Sequence, residues 1–570
     1  MKRNTLYTLL LCLVALTGYA QPKFASKVSK GIISLNTYDR QGNLLRQGTA
    51  FYVGANGEAI ADYRLFKNAY QASVIDADGK QLKVDYILGA DDTYSIVRFH
   101  VNTKGNVAIP AVTVIQPMKS TFFVLGRAEG GKLESEEAVV ADTAMINGKY
   151  VYYGLDKPLN DALIGAPVFN QSGNLVGVLH PQMGGKNYVL DIRFRNELQM
   201  AAFPTNSAAV ALGNIFISKA LPPTQEEALV YLYTKSRSTS NEEYLDLVNR
   251  FIETYPKNAE GYLRRATPLI DMTRFDEADR DMQQYLSLVD DKAVGNYNVA
   301  SLIFDKLRLQ PEPAYEKWNE DVALQYVDKA LSLNASKSDA EEQKLEKTRY
   351  RILKGQLLLN KPDYDGALAL YEELNNESGG APTYLYAISL AREGRGDSIG
   401  AVLEPIDSAI AKFGNPLPAE AANFVIRHGQ LNANAGKYRE AVQDYNQYAY
   451  LMHNQVSPVF YYERSQIEVN ARMYQPALDD INKAIELAPR ESLYYMAKAA
   501  LAVRVSMFDE CIEACQTALR LNSTIIDAYR ILGYAQFQKG DKTSARTNLD
   551  KAAEMGDETA KKLISTLFTP

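Results

Sequence analysis

A chain of 570 residues with 46% hydrophobic and 23% charged side chains is long enough for two or more domains, each burying its own core. Its formal net charge of −6 argues against nucleic acid, which rewards concentrated Lys and Arg, so no nucleic-acid partner is expected. Tyr occurs 37 times against a single Trp, a usage that suits half-buried helix contacts and binding surfaces alike.

The first residues read MKRNTLYTLLLCLVALTGYAQP. Lys2 and Arg3 supply a positive start, Leu6 to Leu16 an apolar run, and Gly18-Tyr19-Ala20 a small-residue exit. This predicts a secretory signal peptide over 1–20 with cleavage after Ala20. The apolar run is shorter than the roughly 20 residues that span a bilayer, and no later stretch is apolar enough. The expectation is an exported chain, periplasmic or secreted in a bacterium, with no transmembrane segment after cleavage.

Residues 24–202 then alternate in the manner of strands. GTAFYVG, GEAIADY, YSIVRFHV, STFFVLG, KYVYYGL, NLVGVLHP and NYVLDIRF are short, rich in Val, Ile, Tyr and Phe, and separated by turns such as NGE, DGK and SGN. Many short strands with Gly and Asn turns between them predict an antiparallel barrel or sandwich. A connecting segment is expected over 203–225, ending at Pro222-Pro223.

From Glu226 onward apolar residues recur at helical spacing. RMYQPALDDINKAIELAP, SMFDECIEACQTALRLNS and GDKTSARTNLDKAAEMGD superpose at a step of 34 residues. That step carries Ala477 to Cys511 to Ala545, Ala484 to Ala518 to Ala552, and Ser465 to Ala499 to Gly533. Small residues at fixed intervals let paired helices approach closely. This period and pattern resemble the tetratricopeptide repeat (TPR), a helix–turn–helix unit that stacks into a superhelical solenoid. Equivalent small sites at Ala441, Ala401, Ala367, Ala323 and Ala278, with Tyr244 opening the series, predict about nine units over 226–556. The wider steps around Ala323 call for longer turns or extended helices. Residues 557–570 read as a capping helix.

The resemblance implies a protein or peptide partner on the concave face of the repeats. By periodicity the inward-facing candidates are Gln430, Asn434, Tyr462, Gln466, Arg530 and Tyr534. Cys511 and Cys515 lie four apart on a helix, a poor geometry for a disulfide, and lack the His or Cys companions zinc needs. Neither a metal nor a small-molecule cofactor is expected.

The first half resembles trypsin-like serine proteases of the bacterial kind. GTAFYVGANGEAIADYRLFKNA matches the run from a strand through a hairpin to the turn that carries the histidine, GADDTYSIVRFHV the strand that carries the aspartate, and LIGAPVFNQSGNLVGVLHP the nucleophile loop. The fold class expected is therefore an all-β trypsin-like double barrel followed by an all-α TPR solenoid. Carried over residue by residue, Arg64 stands at the histidine site, Ser95 at the aspartate site and Ile164 at the serine site. A guanidinium stays protonated and cannot act as base, an aliphatic branch offers no nucleophile, and Ser95 has no charge with which to orient an imidazolium. Ala162 and Leu163 replace the glycine-led turn of the oxyanion hole.

The resemblance thus implies a pseudoprotease without catalytic residues. The function expected is that of a non-catalytic binding or scaffold protein of the cell envelope, the barrel serving as a second docking surface. The alternative is a serine-type peptidase with an atypical site, its repeats recruiting substrate.

Overall fold

The computed structural model describes residues 21–127, 132–204, 206–336 and 339–568; the expected signal peptide, 1–20, lies outside the described residues. The chain divides into two compact units, 1–290 and 291–570.

The first unit holds two closed barrels. Strands β1 (Ile32–Tyr38), β2 (Leu44–Tyr52), β3 (Glu58–Asp62), β4 (Gln71–Ile75), β5 (Gln81–Asp91) and β6 (Ile96–Val101) close in the order β1-β2-β3-β6-β5-β4. Strands β7 (Thr121–Arg127), β8 (Leu133–Ile146), β9 (Tyr150–Leu155), β10 (Pro167–Phe169), β11 (Leu175–Met183) and β12 (Lys186–Asp191) close in the same cyclic order, all pairs antiparallel.

Period-two alternation sorts these side chains between cores. Ile33, Leu35, Ala50, Tyr52, Ala59 and Ala61 pack together in the core of the first barrel. Their neighbours Ile32, Phe51 and Ile60 pack with Leu125, Phe169, Val178 and Leu190 of the second. Phe122, Val124, Val140, Tyr153 and Val189 form a separate core in the second barrel.

The connecting segment is ordered and docked. After the helix Asn206–Gly213, Asn214 O accepts from Asn68 N at 2.7 Å and Phe216 N donates to Ala69 O at 2.8 Å. Ile87 N donates to Ser218 O, and Ala220 N to Ile87 O, both at 2.8 Å. Ala211, Ile215 and Ile217 thereby join the first-barrel core, which continues into Tyr231, Leu232, Val248 and Phe251 of the first helices. The stretch becomes structural because apolar residues such as Ala211, Ile215 and Ile217 fall where the barrel offers both an apolar surface and backbone hydrogen-bond partners.

The remainder is helical. In the first unit the pairs are Gln225–Lys235 with Asn241–Thr254, and Ala259–Asp271 with Phe275–Leu288. In the second they are Lys292–Leu309 with Glu320–Asn334, Ala340–Asn360 with Tyr364–Ser378, Pro382–Arg395 with Ile399–Ala411, and Ala422–Asn434 with Tyr438–Leu451. Three more follow: Pro458–Asn470 with Tyr474–Leu487, Ser492–Arg504 with Phe508–Leu521, and Ile526–Gln538 with Lys542–Glu554. A last helix, Glu558–Leu567, packs against its predecessor.

The final three pairs start at residues 34 apart, as their sequence period requires. Small residues sit where the pairs touch: a Cβ on Gly533 would meet Leu549 Cγ at 2.8 Å and Ala545 O at 2.9 Å. The wide steps around Ala323 come from an 18-residue helix, an irregular connection through 310–319, and a 21-residue helix.

Docking of the connecting segment predicts that Ile215→Ala, at a side chain only 1% exposed, costs about 2–4 kcal/mol. It should also open residues 203–225 to limited proteolysis, read by mass spectrometry of the first fragments. Unchanged cleavage and unchanged thermal unfolding would show that the segment merely lies on the barrel.

Candidate functional site

Between the two barrels, the ends of several strands converge on Asp62, a carboxylate only 3% exposed. Burial of a charge without partners is costly, and three groups meet the demand. Asp62 caps the one-turn helix Tyr63–Phe66, its Oδ1 accepting from Arg64 N at 2.7 Å. The Arg64 side chain folds back over it, with Nε at 2.9 Å from Oδ1 and 3.1 Å from Oδ2, and Nη2 on Oδ2. Ser95 Oγ donates to Asp62 Oδ1 at 3.1 Å, while Ser95 O accepts from Tyr63 N at 3.1 Å. These contacts hold Ser95 in the left-handed region at φ +43°, an uncommon conformation for a residue with a Cβ.

Arg64 and Ser95, far apart in the chain, thus share one carboxylate that sequence reasoning did not single out. The hydrogen bonds that Arg64 donates to Asp62 raise its pKa further above the ordinary value, so this guanidinium stays charged.

The same device recurs in the second barrel. Asp191, 1% exposed, ends β12 and caps the 3₁₀ turn Ile192–Glu197. Arg193, two residues on, grips it through Nε at 3.0 and 2.9 Å and through Nη2. An Asp-x-Arg self-cap at the end of a strand is therefore a building element of each barrel, which gives Arg64 a structural duty.

The third position belongs to the second barrel. Ile164 follows the 3₁₀ turn Asp161–Leu163, and its N–H donates to Asp161 O at 3.1 Å. Leu163 N donates to Asn160 O at 2.9 Å and Ala162 N to Asn160 Oδ1 at 3.0 Å. The N–H groups of Ala162, Leu163 and Ile164 are thus consumed within the turn, and that of Gly165 donates across to Leu179 O on β11 at 2.8 Å. Gly165 lies directly against the cluster: with φ +84°, an added Cβ would stand 2.9 Å from Asp62 Cβ.

An imidazole also belongs to this neighbourhood. His180 on β11 is 5% exposed, bonds through Nδ1 to the Tyr152 hydroxyl, and its Nε2 has no hydrogen-bond partner. Burial pushes its pKa down to about 4, with Asp62 opposing and Arg64 adding to the shift. The ring is neutral at pH 7. Burial likewise raises the Tyr152 phenol above its usual range. The sequence placed His180 out of order for a triad; in the fold its electrostatic neighbours are nonetheless Asp62 and Arg64.

On the helical pairs, the six predicted groove residues fall on three first helices. Gln430 and Asn434 are exposed, one turn apart, on Ala422–Asn434. Tyr462 packs against Tyr494 of the next pair with tilted rings, centroids 5.5 Å apart, and Gln466 Nε2 donates to Ser465 Oγ at 3.3 Å. Tyr534 is half-buried. Arg530 is engaged by Asp527 and, at 2.7 Å, by Asp557, the residue that caps the last helix. Its guanidinium ties that helix to the stack.

Sequence reasoning missed a second set. Arg265 grips Asp281 through Nε and Nη2 at 2.7 Å each and reaches Asn249 at 2.9 Å. Arg464 repeats this on Asp480 and Asn446, again at 2.7, 2.7 and 2.9 Å. Between them in sequence, His428 places Nδ1 2.9 Å from Asp444 and Nε2 3.0 Å from Asp407. In each case the acid lies sixteen residues after the base, a spacing that was available as a signal. Beside the Arg464 pair, Glu468 is 4% exposed with Oε2 unpartnered. Burial, then the nearby Asp480, push its pKa up to about 7, against the pull of Arg464.

No protein-family model matches the chain. It is 23% identical over 327 residues to the DnaJ protein P58IPK homolog of Arabidopsis thaliana, an alignment covering 54% of this chain and 57% of that protein. A serine endoprotease from Yersinia pestis is similar in structure with a TM-score of 0.27 and 14% identity, over 30% of this chain and 62% of the other. At that score the architecture rests on the strand topology itself, which defines a trypsin-like double barrel followed by helical repeats. Among the described residues no helix is long and apolar enough to cross a membrane.

The buried acid–base groups set a pH dependence. Glu468 and His428 both have folded pKa values above their unfolded ones, the latter through its hydrogen bond to Asp444. Each contributes stability that is complete below its unfolded pKa and is lost as pH rises through the folded value. Hydrogen exchange in helices 422–487 should therefore show a loss of on the order of 2 kcal/mol between pH 5.5 and pH 8.5. Glu468→Gln should flatten the profile by removing one of the two titrations. A profile rising toward pH 8.5 would contradict the assignment.

Proposed function

We propose that this is an exported, non-catalytic protein-binding protein of the bacterial cell envelope, in which the helical pairs are tetratricopeptide repeats that take up a polypeptide partner and the barrels offer a second docking surface. The observation that carries this reading is the closed circuit at Asp62. Where hydrolysis of an amide needs a proton acceptor beside a nucleophile, a permanently charged guanidinium is locked to a buried carboxylate. Ile164 brings no nucleophilic atom, and the N–H groups of Ala162, Leu163, Ile164 and Gly165 are already engaged by Asn160, Asp161 and Leu179, which leaves them unavailable to an oxyanion.

The helical half supports the binding role. Exposed amides at Gln430 and Asn434 and the Tyr462–Tyr494 pair give the mixture of polar and aromatic contacts that a peptide groove uses. The likeness to a DnaJ-named protein over about half of each chain favours the same reading.

One observation favours the peptidase alternative: His180 is a neutral, buried imidazole whose Nε2 has no hydrogen-bond partner and which feels the charge of Asp62. A single experiment separates the two. Purified full-length protein is incubated with unfolded casein and with a fluorophosphonate probe, alongside a His180→Ala variant. The binding reading expects no cleavage and no labelling, with casein retained on immobilised protein and retention reduced about fivefold in a Tyr462→Ala/Gln430→Ala double variant. Cleavage that disappears with His180→Ala would establish an enzyme.

A further inference from the structure

Away from the inter-barrel cluster, the second barrel carries a pocket of ≈ 290 Å³ lined by Ala111, Val112, Lys149, Tyr150, Ile192 and Arg195, among others. The volume is at the small end for ligand sites. Its chemistry is one-sided: Lys149, Arg193 and Arg195 all line it, and no carboxylate does.

The local charges do not balance. Arg193 is neutralised from behind by Asp191, and Lys149 by Glu197 at 2.8 Å. The neighbouring Glu58 is taken by Arg98 at 2.9 Å. Arg195 is left over. Among the described residues no carboxylate lies within ion-pair distance of it, and its one hydrogen bond is a long contact to Val53 O at 3.5 Å. A half-buried guanidinium with most of its five donors unused is an unmet demand for an oxyanion. Burial holds its pKa below the ordinary arginine value, only partly offset by Glu58, which agrees with an uncompensated charge. The lining also includes the apolar Ala111, Val112, Ile192 and the Tyr150 ring, with Thr113 and Asn196 as neutral polar members.

We propose that this pocket binds the carboxylate of a small organic acid, with the oxyanion on the free fork of Arg195 and a short hydrocarbon body against Ala111, Val112 and Ile192. Lys149, 66% exposed at its side chain and already paired with Glu197, lines the same pocket and leaves Arg195 as the anion's partner. This site is independent of the Asp62 cluster and of any protein partner on the helices.

The test uses the full chain with three probes: hexanoate, hexanol and inorganic phosphate, each titrated by calorimetry and by ligand-observed NMR. Hexanoate should bind one site saturably with a dissociation constant on the order of 1 mM, as a ligand of this size permits. Hexanol and phosphate should each bind at least about tenfold more weakly, one lacking the charge and the other the hydrocarbon. Arg195→Met should weaken hexanoate at least tenfold. Should that variant unfold, Arg195→Lys carries the test, expected to weaken hexanoate about threefold or more with an unchanged far-UV spectrum. Absence of saturable hexanoate binding, phosphate binding as tight as hexanoate, or equal affinity in the variants would overturn the proposal.

Discussion

Four strands of the first barrel, β1, β2, β3 and β6, have to satisfy two apolar environments, because successive side chains point to opposite faces. In β1 and β2, Ile33 and Ala50 face one core while Ile32 and Phe51 face the other. A one-residue slip would exchange the two sets and leave neither core filled. This double requirement fixes the register of the sheet, and the register brings the ends of β3 and β6 to the same corner as the loop before β10. The Asp62 cluster exists because that corner is where strands stop pairing and a buried carboxylate must be matched by hand.

At that corner the chain uses a local solution twice. A carboxylate at the last position of a strand caps the following turn, and an arginine two residues later closes over it, at Asp62–Arg64 and at Asp191–Arg193. Pairing of this kind makes a buried charge tolerable, and it commits both side chains. Arg64 is consequently held by its own neighbour, with Ser95 as the third member, and His180 is kept neutral chiefly by burial, with Arg64 adding to the effect. The chemistry available in the crevice follows from these commitments.

The helical pairs obey a different constraint, that of close approach. Gly533, Ser465 and Ala499 are small because the partner helix passes directly over them, and these positions keep the period legible in sequence. The polar groups between the pairs are less regular. Arg265 and Arg464 make the same three contacts, whereas His428 takes the equivalent place with two carboxylates and Arg530 turns instead to the terminal helix. Periodicity alone places Arg530 on the expected binding face; the presence of Asp557 at the next helix start also pairs its guanidinium with the end of the stack.

The sequence by itself determined the element types, the strand-to-helix change near residue 204, the 34-residue step and the residue types at Arg64, Ser95 and Ile164, because alternation, periodicity and side-chain chemistry are local properties of the chain. It did not reveal Asp62 as the hub of the crevice, His180 as its neighbour, the docking of 214–220 on β5, or the unpaired charge of Arg195. Each of these depends on which groups share a volume after burial, and desolvation acts on neighbours in space. Only the tertiary structure decides which charges find partners and which are left without one.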